Sequence, residues 1–246
     1  METAWIVIPC FNEADRLDEA SVVTLLNDSR VSLVFVDDGS TDATLDYLRD
    51  LQATHKGRIE VLVQPENLGK AAAVQRGMNH AWALGATVTG YLDADFATPA
   101  AEMLRLLSTL TDHPDVEVLI GSRWLHLGAN IQRSNLRHYF GRIFATLASL
   151  TLRMGVYDTQ CGAKLFRVTD AFVAAIKDPF VSRWAFDVEL LGRLDRGLAG
   201  QPGLPREAFL EEPLLAWHDV RGSKIRLVDM IMATLELILI HGRLRG

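Results

Sequence analysis

Gly90-Tyr91-Leu92-Asp93-Ala94-Asp95 ends a short apolar run with two carboxylates one residue apart, and Phe96-Ala97-Thr98-Pro99 then turns the chain away. In a strand, residues i and i+2 point the same way. Asp93 and Asp95 therefore converge on one ligand if the run is a strand. Open α/β sheets bind their ligands at the carboxyl ends of strands. Carboxylates this close repel unless a cation or a donor lies between them. Mg²⁺ or Mn²⁺ suits that place, because such cations prefer oxygen and bridge protein carboxylates to a diphosphate. An isolated Asp-x-Asp is more often a solvated turn, so its surroundings decide the reading.

Four further apolar runs rich in β-branched residues share its character: residues 4–9 (AWIVIP), 31–37 (VSLVFVD), 59–64 (IEVLVQ) and 116–120 (VEVLI). With residues 88–92 they read as buried strands. Helical patterns separate them. Ser40-Thr41-Asp42 opens a helix over 43–51, residues 70–84 are alanine-rich and stop at Gly85, and Pro99 opens a helix through 110. Alternation at this spacing predicts an α/β fold, a mostly parallel sheet with helices on both faces.

The chain of 246 residues has a formal net charge of −6, which argues against nucleic-acid binding. Two distant cysteines, Cys10 and Cys161, make neither a disulfide framework nor a metal cluster and suit a reducing compartment. No signal peptide is evident, and no apolar stretch is long enough to span a bilayer.

Chemistry-bearing motifs follow the predicted strands in order. Pro9-Cys10-Phe11-Asn12-Glu13 ends the first, and Asp37-Asp38-Gly39-Ser40 ends the second. Asn67-Leu68-Gly69-Lys70 follows the third, and the Asp93–Asp95 pair ends the fourth. All should meet along one rim. Glu13, Asp37 and Asp38 can accept from a nucleobase and ribose, Gly69 admits close backbone approach, and Lys70 can meet phosphate or join the base and ribose pocket. Asn-x-Gly-Lys alone is as readily a helix start, and Asp-Asp-Gly-Ser a capped turn. The order of all four is the specific signal.

Beyond Gly121 the character changes. Residues 118–157 contain no acidic residue and carry Arg123, Arg133, Arg137, Arg142 and Arg153. Residues 137–154 read as a helix whose apolar face holds Tyr139, Phe140, Ile143, Phe144, Leu147 and Leu150. A basic helix of this kind lies on anionic membrane surfaces; an ordinary core-facing helix fits equally well. A second amphipathic stretch covers 225–240, interrupted by Asp229 and Glu236.

With these motifs assembled, the sequence resembles family 2 glycosyltransferases of the GT-A fold over residues 5–243. Gly121-Ser122-Arg123, Arg133-Ser134 with Arg137, residues 158–166 (DTQCGAKLF), residues 183–189 (RWAFDVE) and Trp217-His218-Asp219-Val220 with Gly222-Ser223-Lys224 are similar to the dolichyl-phosphate β-glucosyltransferase branch. The neighbouring mannose synthases place a glutamine metal ligand where this chain has Ala97. The resemblance implies an inverting, Mg²⁺- or Mn²⁺-dependent hexosyltransferase. Its donor would be UDP-glucose, with GDP-mannose as the alternative, and its acceptor a polyprenyl phosphate.

Asp95, with Asp93, would hold the metal, and Asp93 the ribose or donor sugar as well. Arg123, Arg133 and Arg137, with Ser134, would bind the acceptor phosphate, for which the planar guanidinium is suited. Asp158 would line the acceptor site, its alternative being a turn cap, and Gln160 would contact the sugar. Pro9 and Phe11 would flank the nucleotide, and Lys224 would close over the diphosphate or the acceptor on a loop freed by Gly222 and Ser223. At most one of Asp187 and Glu189 is expected to face the site, the other being solvated. His218 and Trp5, Trp82 and Trp124 read as structural. Eukaryotic members of this branch begin with a membrane-spanning helix; its absence here leads to the expectation of a prokaryotic relative attached peripherally to the cytoplasmic face of a membrane. The expected organisation is a catalytic domain over 1–224, with an acceptor- and membrane-facing insertion at about 123–157, and an amphipathic helix over 225–246.

Three other readings compete. One is a family 2 transferase with a polysaccharide acceptor. A pyrophosphorylase would carry a basic glycine-rich loop where Phe11-Asn12-Glu13 stands. The third is a non-catalytic nucleotide-sugar-binding module at a membrane surface.

Overall fold

The structure, a computed structural model, describes residues 2–124, 130–132, 135–198, 200–220 and 227–244. The five apolar runs are strands: β1 (Ala4–Cys10), β2 (Val31–Asp37), β3 (Ile59–Val63), β4 (Val88–Leu92) and β5 (Val118–Ser122). β5 begins two residues later than its sequence pattern, because the Val116 amide is taken by the His113 carbonyl in the preceding turn. The other strands are β6 (Asn130–Gln132), β7 (Ala163–Arg167), β8 (Gly197–Leu198), β9 (Gln201–Pro202), β10 (Phe209–Pro213) and β11 (Ala216–His218). The helices are α1 (Glu19–Leu26), α2 (Thr44–Thr54), α3 (Lys70–Ala83), α4 (Ala100–Asp112), α5 (Asn135–Leu152), α6 (Asp170–Lys177), α7 (Phe186–Arg196) and α8 (Leu227–Arg243).

Seven strands form the main sheet in the order β10-β5-β7-β4-β1-β2-β3. Only β7 runs against its neighbours, β4 and β5. The mostly parallel α/β architecture is as expected. Period-two alternation divides the core between the faces. Ile6, Ile8, Leu33, Phe35 and Leu92 pack on one side with α1, α2 and α4. Val7, Val34, Val36, Tyr91 and Phe166 pack on the other with α3, α5, α6, α7 and α8.

Register aligns the strand ends. Cys10 pairs with Asp37, and Asp37 with Val63, so the motifs that follow β1, β2 and β3 emerge side by side. β4 joins the rim through Val7–Tyr91. Because β7 is reversed, its first residue, Ala163, lies opposite Leu92. The segment 158–162 thus arrives beside Asp93 by preceding its strand.

Two sequence readings change. In α5, Phe144, Ala148 and Leu152 belong to the core together with Leu237 and Ile240 of α8. Phe144 is therefore no bilayer contact; Leu147 and Leu150 are exposed. Trp82 and Trp124, expected to pack, are about half exposed. The expected boundary at 224/225 lies outside the described residues.

Candidate active site

The last residues of β4 carry the charged centre. Phe96 takes a left-handed φ of 48° and donates its amide to the Asp93 carbonyl at 3.0 Å, closing the turn that presents both carboxylates. The Lys70 ammonium, at the start of α3, lies 2.5 Å from Asp93 Oδ1. Burial works against the Lys70 charge, but Asp93, then Asp187 and Asp95, hold its pKa above the ordinary lysine range. Asp95 accepts the Ala97 amide at 3.1 Å. Its second oxygen lies 4.0 Å from Arg16. Burial first, and the charge of Asp93 second, raise the Asp95 carboxyl above its usual range.

Arg16 was not singled out in the sequence. It grips both Glu13 oxygens, Nε to Oε2 and Nη2 to Oε1, each at 2.6 Å. The Glu13 loop is tied to the next one: the Asn12 amide reaches Ser40 Oγ at 3.0 Å, and the Glu13 amide reaches Thr44 Oγ1 at 2.8 Å. Pro9 lies within β1 opposite Val36, and Phe11 follows, half-buried, at the rim.

The two aspartates after β2 have different work. Asp38 accepts the Leu68 and Gly69 amides at 2.8 Å each and the Gln64 side chain at 2.5 Å. It builds the loop before α3, and burial raises its pKa although these donors oppose the rise. Asp37 Oδ1 is buried with no partner among the described residues, an orphan acceptor of the kind a ligand satisfies. Gly69 adopts a φ of +96°, where a Cβ would lie 2.4 Å from Arg183 Nε. Arg183 in turn donates to Asn67 Oδ1. Lys70 pairs with Asp93 and Glu13 with Arg16, so the two expected rim residues are held by different partners.

On the other side of Asp93, Arg123 and Asp158 form a two-bond pair at 2.6 and 2.8 Å. Burial opposes the Arg123 charge, and Asp158 more than restores it, raising the pKa further. The Tyr157 and Asp158 amides donate to Glu211 at 2.8 Å each, which fixes this turn to β10. Trp217 lies beneath the guanidinium, its ring centre 5.6 Å away. The His218 amide donates to the Ala97 carbonyl at 2.9 Å, docking β11 against the carboxylate turn. Gln160 is half-buried in the turn between Asp158 and β7. Arg133, Ser134 and Lys224 lie outside the described residues, as does the Arg137 side chain.

A buried layer supports the charged centre. Lys164, fully buried on β7, donates to the Cys161 carbonyl at 2.6 Å, to Tyr91 Oη at 2.9 Å and to Asp187 Oδ1 at 2.9 Å. Tyr91 donates to Asp187 Oδ1. Burial pushes the Asp187 carboxyl up to about 7 and the Lys164 ammonium down to about 7. The expectation of a solvated Asp187 or Glu189 is overturned. Glu189 is also fully buried, accepting the Val181 amide at 2.8 Å and pairing with Arg193 at 2.6 Å. A carboxylate surrounded by donors can be buried where an unpaired one cannot. Glu236 of α8, read as an interruption, accepts from Ser182 Oγ and the Trp184 and Ala185 amides ahead of α7.

Among the described residues, no three His, Cys, Asp or Glu side chains are grouped to hold a metal. Asp93 and Asp95 are two neighbouring carboxylates of the kind that can share a divalent cation. Two neighbouring carboxylates, one with its charge disfavoured by the other, are stabilised by a dication.

The family model described as Glycosyl transferase family 2 matches residues 5–171. A dolichyl-phosphate beta-glucosyltransferase of Saccharomyces cerevisiae is 31% identical, over 96% of this chain and 73% of the relative. One from Trichomonas vaginalis is 30% identical, over 94% of this chain and 71% of its own. The human protein of that name is 30% identical over 89% and 68%. Among solved structures, glucosyl-3-phosphoglycerate synthase of Mycobacterium tuberculosis superposes with a TM-score of 0.67 at 18% identity, over 99% of this chain and 80% of that one. The same enzyme in complex with Mn²⁺ and UDP-glucose gives 0.67 at 19% identity, over 99% and 79%. That level of identity shows the fold, the GT-A arrangement.

Proposed function

The chain belongs to glycosyl transferase family 2, and from that premise we propose that it transfers glucose from UDP-glucose to a polyprenyl phosphate with inversion. The observation that carries the reading is the Asp93–Asp95 pair with Lys70 at the sheet rim, in a chain about 30% identical to dolichyl-phosphate beta-glucosyltransferases along most of its length. The solved structure with Mn²⁺ and UDP-glucose supports the donor and the cation through the shared fold.

Mg²⁺ or Mn²⁺, when bound by Asp95 and Asp93, supplies positive charge to the departing diphosphate. Lys70 adds a second positive charge at the same place. Asp37, with one buried oxygen unpartnered among the described residues, and Glu13, fixed by Arg16, stand on the rim proposed for the uridine and its ribose. Asp38 and Gly69 shape the loop that carries Lys70. The acceptor phosphate oxygen forms the bond to the anomeric carbon as the bond to the diphosphate breaks, giving inversion in one displacement. That oxygen is already anionic near neutral pH, so no strong base is needed. Asp158 holds the Arg123 fork near the Trp217 ring, where it can meet a phosphate, and Gln160 lies in the adjoining turn. Arg133, Ser134, Arg137 and Lys224 are the further phosphate-binding residues of this proposal. Beside Tyr157, a cleft of about 430 Å³ is walled by Ala145, Ser149, Leu150, Met154 and Val156. Its apolar wall suits the first isoprene units of the acceptor. Incubation with labelled UDP-glucose and a polyprenyl phosphate in detergent should carry label into the organic phase well above the level given by GDP-mannose. Equal label from both donors, or none from UDP-glucose, rejects the assignment.

The acceptor's tail lies in a bilayer, and the enzyme must reach it. No described helix is long and apolar enough to cross a membrane. α8 offers a surface instead: Met232, Leu235, Ile238 and Leu239 are 48, 52, 69 and 59% exposed. With Leu147 and Leu150 of α5 they suit an interfacial contact of the cytoplasmic leaflet. Submerging three such side chains is worth on the order of 1 kcal/mol each. Substituting Leu235, Ile238 and Leu239 by Gln should therefore lower partition into anionic liposomes by about two orders of magnitude, with unchanged thermal unfolding. Flotation checks this, and a wild type that never floats contradicts it.

A further inference from the structure

We propose that Lys164 and Asp187 are positioning residues that hold the Lys70–Asp93 pair in register for the donor; this rests on reading that pair as the diphosphate end of the donor site. Two routes connect them. The first passes through Tyr91. Its hydroxyl is gripped from below by Asp187 and Lys164, and its ring lies under the Lys70 ammonium, which is 5.4 Å from the ring centre. Lys164 itself lies 5.2 Å from the same centre. The ring is therefore fixed at its hydroxyl end and presents its surface to Lys70, whose Nζ reaches Asp93 Oδ1 at 2.5 Å. The second route passes through the chain. Lys164 holds the Cys161 carbonyl at 2.6 Å, and the next residue's carbonyl, that of Gly162, accepts the Asp93 amide at 3.0 Å. One buried ammonium thus fixes both members of the pair, Lys70 by way of a ring and Asp93 by way of a turn.

Stability alone does not account for a lysine at this place. An apolar pair of similar volume commonly replaces a buried ion pair with no loss of stability. The surrounding strands are otherwise apolar, with Leu165 and Phe166 fully buried beside Lys164. What an apolar pair cannot reproduce is the set of directed bonds that sets where Tyr91 and the Cys161–Gly162 turn stand.

The test uses the neutral double variant Lys164→Met/Asp187→Asn, the single variant Lys70→Met and their combination. Removing both charges together leaves neither one stranded, so the double variant should unfold within a few degrees of wild type. Acylation of Lys70 by acetic anhydride, followed by mass spectrometry, needs no substrate. It should accelerate several-fold in the double variant as the ammonium leaves Asp93. In UDP-glucose transfer, kcat should fall about 10²-fold, the scale of a small misplacement, with the KM for the lipid acceptor unchanged. In the Lys70→Met background the double change should cost several-fold less than in the wild type, because the route through Tyr91 then has nothing to position and only the route through Asp93 remains. Should the double variant fail to fold, Tyr91→Phe keeps the ring, removes the hydroxyl and is expected to act in the same direction. Unchanged Lys70 acylation, or losses that multiply in the combined variant, overturns the proposal. A wild type without UDP-glucose transfer overturns the function proposed above, and Lys70 acylation still decides the positioning role.

Discussion

Replacement of Asp95 by Asn is expected to reduce glucosyl transfer by about three orders of magnitude, the scale of several kcal/mol of charge stabilisation at a leaving diphosphate. Asn keeps the size and the bond from the Ala97 amide, and loses the charge a dication needs. The fold should not suffer. Burial and the neighbouring Asp93 raise the Asp95 carboxyl in the folded chain. A carboxyl raised on folding is a liability at neutral pH, where both folded and unfolded chains carry its charge. The liability fades as pH falls through the folded pKa and is gone below the unfolded one. In metal-free buffer at neutral pH, Asp95→Asn should therefore melt at or above the wild-type temperature, and the difference should shrink on acidification. Added Mn²⁺ should raise the melting temperature of the wild type in the presence of UDP and leave the variant unmoved. Wild-type turnover in chelator, or an Asp95→Asn enzyme of near-normal rate, contradicts the role.

The rim was legible in the sequence because it depends on backbone register. Motifs that end parallel strands must emerge together once the strands pair, and Cys10, Asp37 and Val63 are in line. Which charges pair across the rim was not legible. Arg16 reaches back to Glu13 and Lys70 reaches forward to Asp93 through side-chain conformations that no spacing specifies. α1 is only 8 residues long, too short for periodicity to announce. Its one signal was Asp18, whose carboxylate caps the Ala20 and Ser21 amides. β7 was harder still, since Ala163-Lys164-Leu165-Phe166-Arg167 places a lysine inside a core strand. The available signal lay elsewhere in the chain: Asp187 sits among Phe186, Val188 and Leu190, and a carboxyl that apolar neighbours bury needs hydrogen-bonding or charged partners. Two halves of a buried pair, 23 residues apart and on different elements, become one feature only after folding.

Gly162→Ala should lower turnover about 10²-fold, a misplacement effect, while leaving the fold close to intact; Gly90→Ala, as crowded on paper, should prevent folding. A Cβ on Gly162 would lie 2.0 Å from Asp93 Oδ2 and 2.3 Å from its Cγ, so one of them must move. The backbone of Asp93 is held at both ends, its amide by the Gly162 carbonyl and its carbonyl by the Phe96 amide. The side chain is the part that yields. It is 36% exposed, so it can swing toward solvent, away from the Lys70 ammonium. That costs stability on the order of 1 kcal/mol and takes a carboxylate out of the site. Gly90 lies in β4 opposite Leu165, and a Cβ there would stand 2.1 Å from the Lys164 carbonyl oxygen. No side chain can rotate away; β4 and β7 would have to separate at the centre of the sheet. The two variants thus distinguish crowding of a movable side chain from crowding of the frame that carries it. Circular dichroism melts and transfer assays read both. A Gly162→Ala protein with full turnover would show that Asp93 does not need its place against the Cys161–Gly162 turn, and a soluble, native-like Gly90→Ala protein would show that the β4–β7 pairing is looser than the register implies.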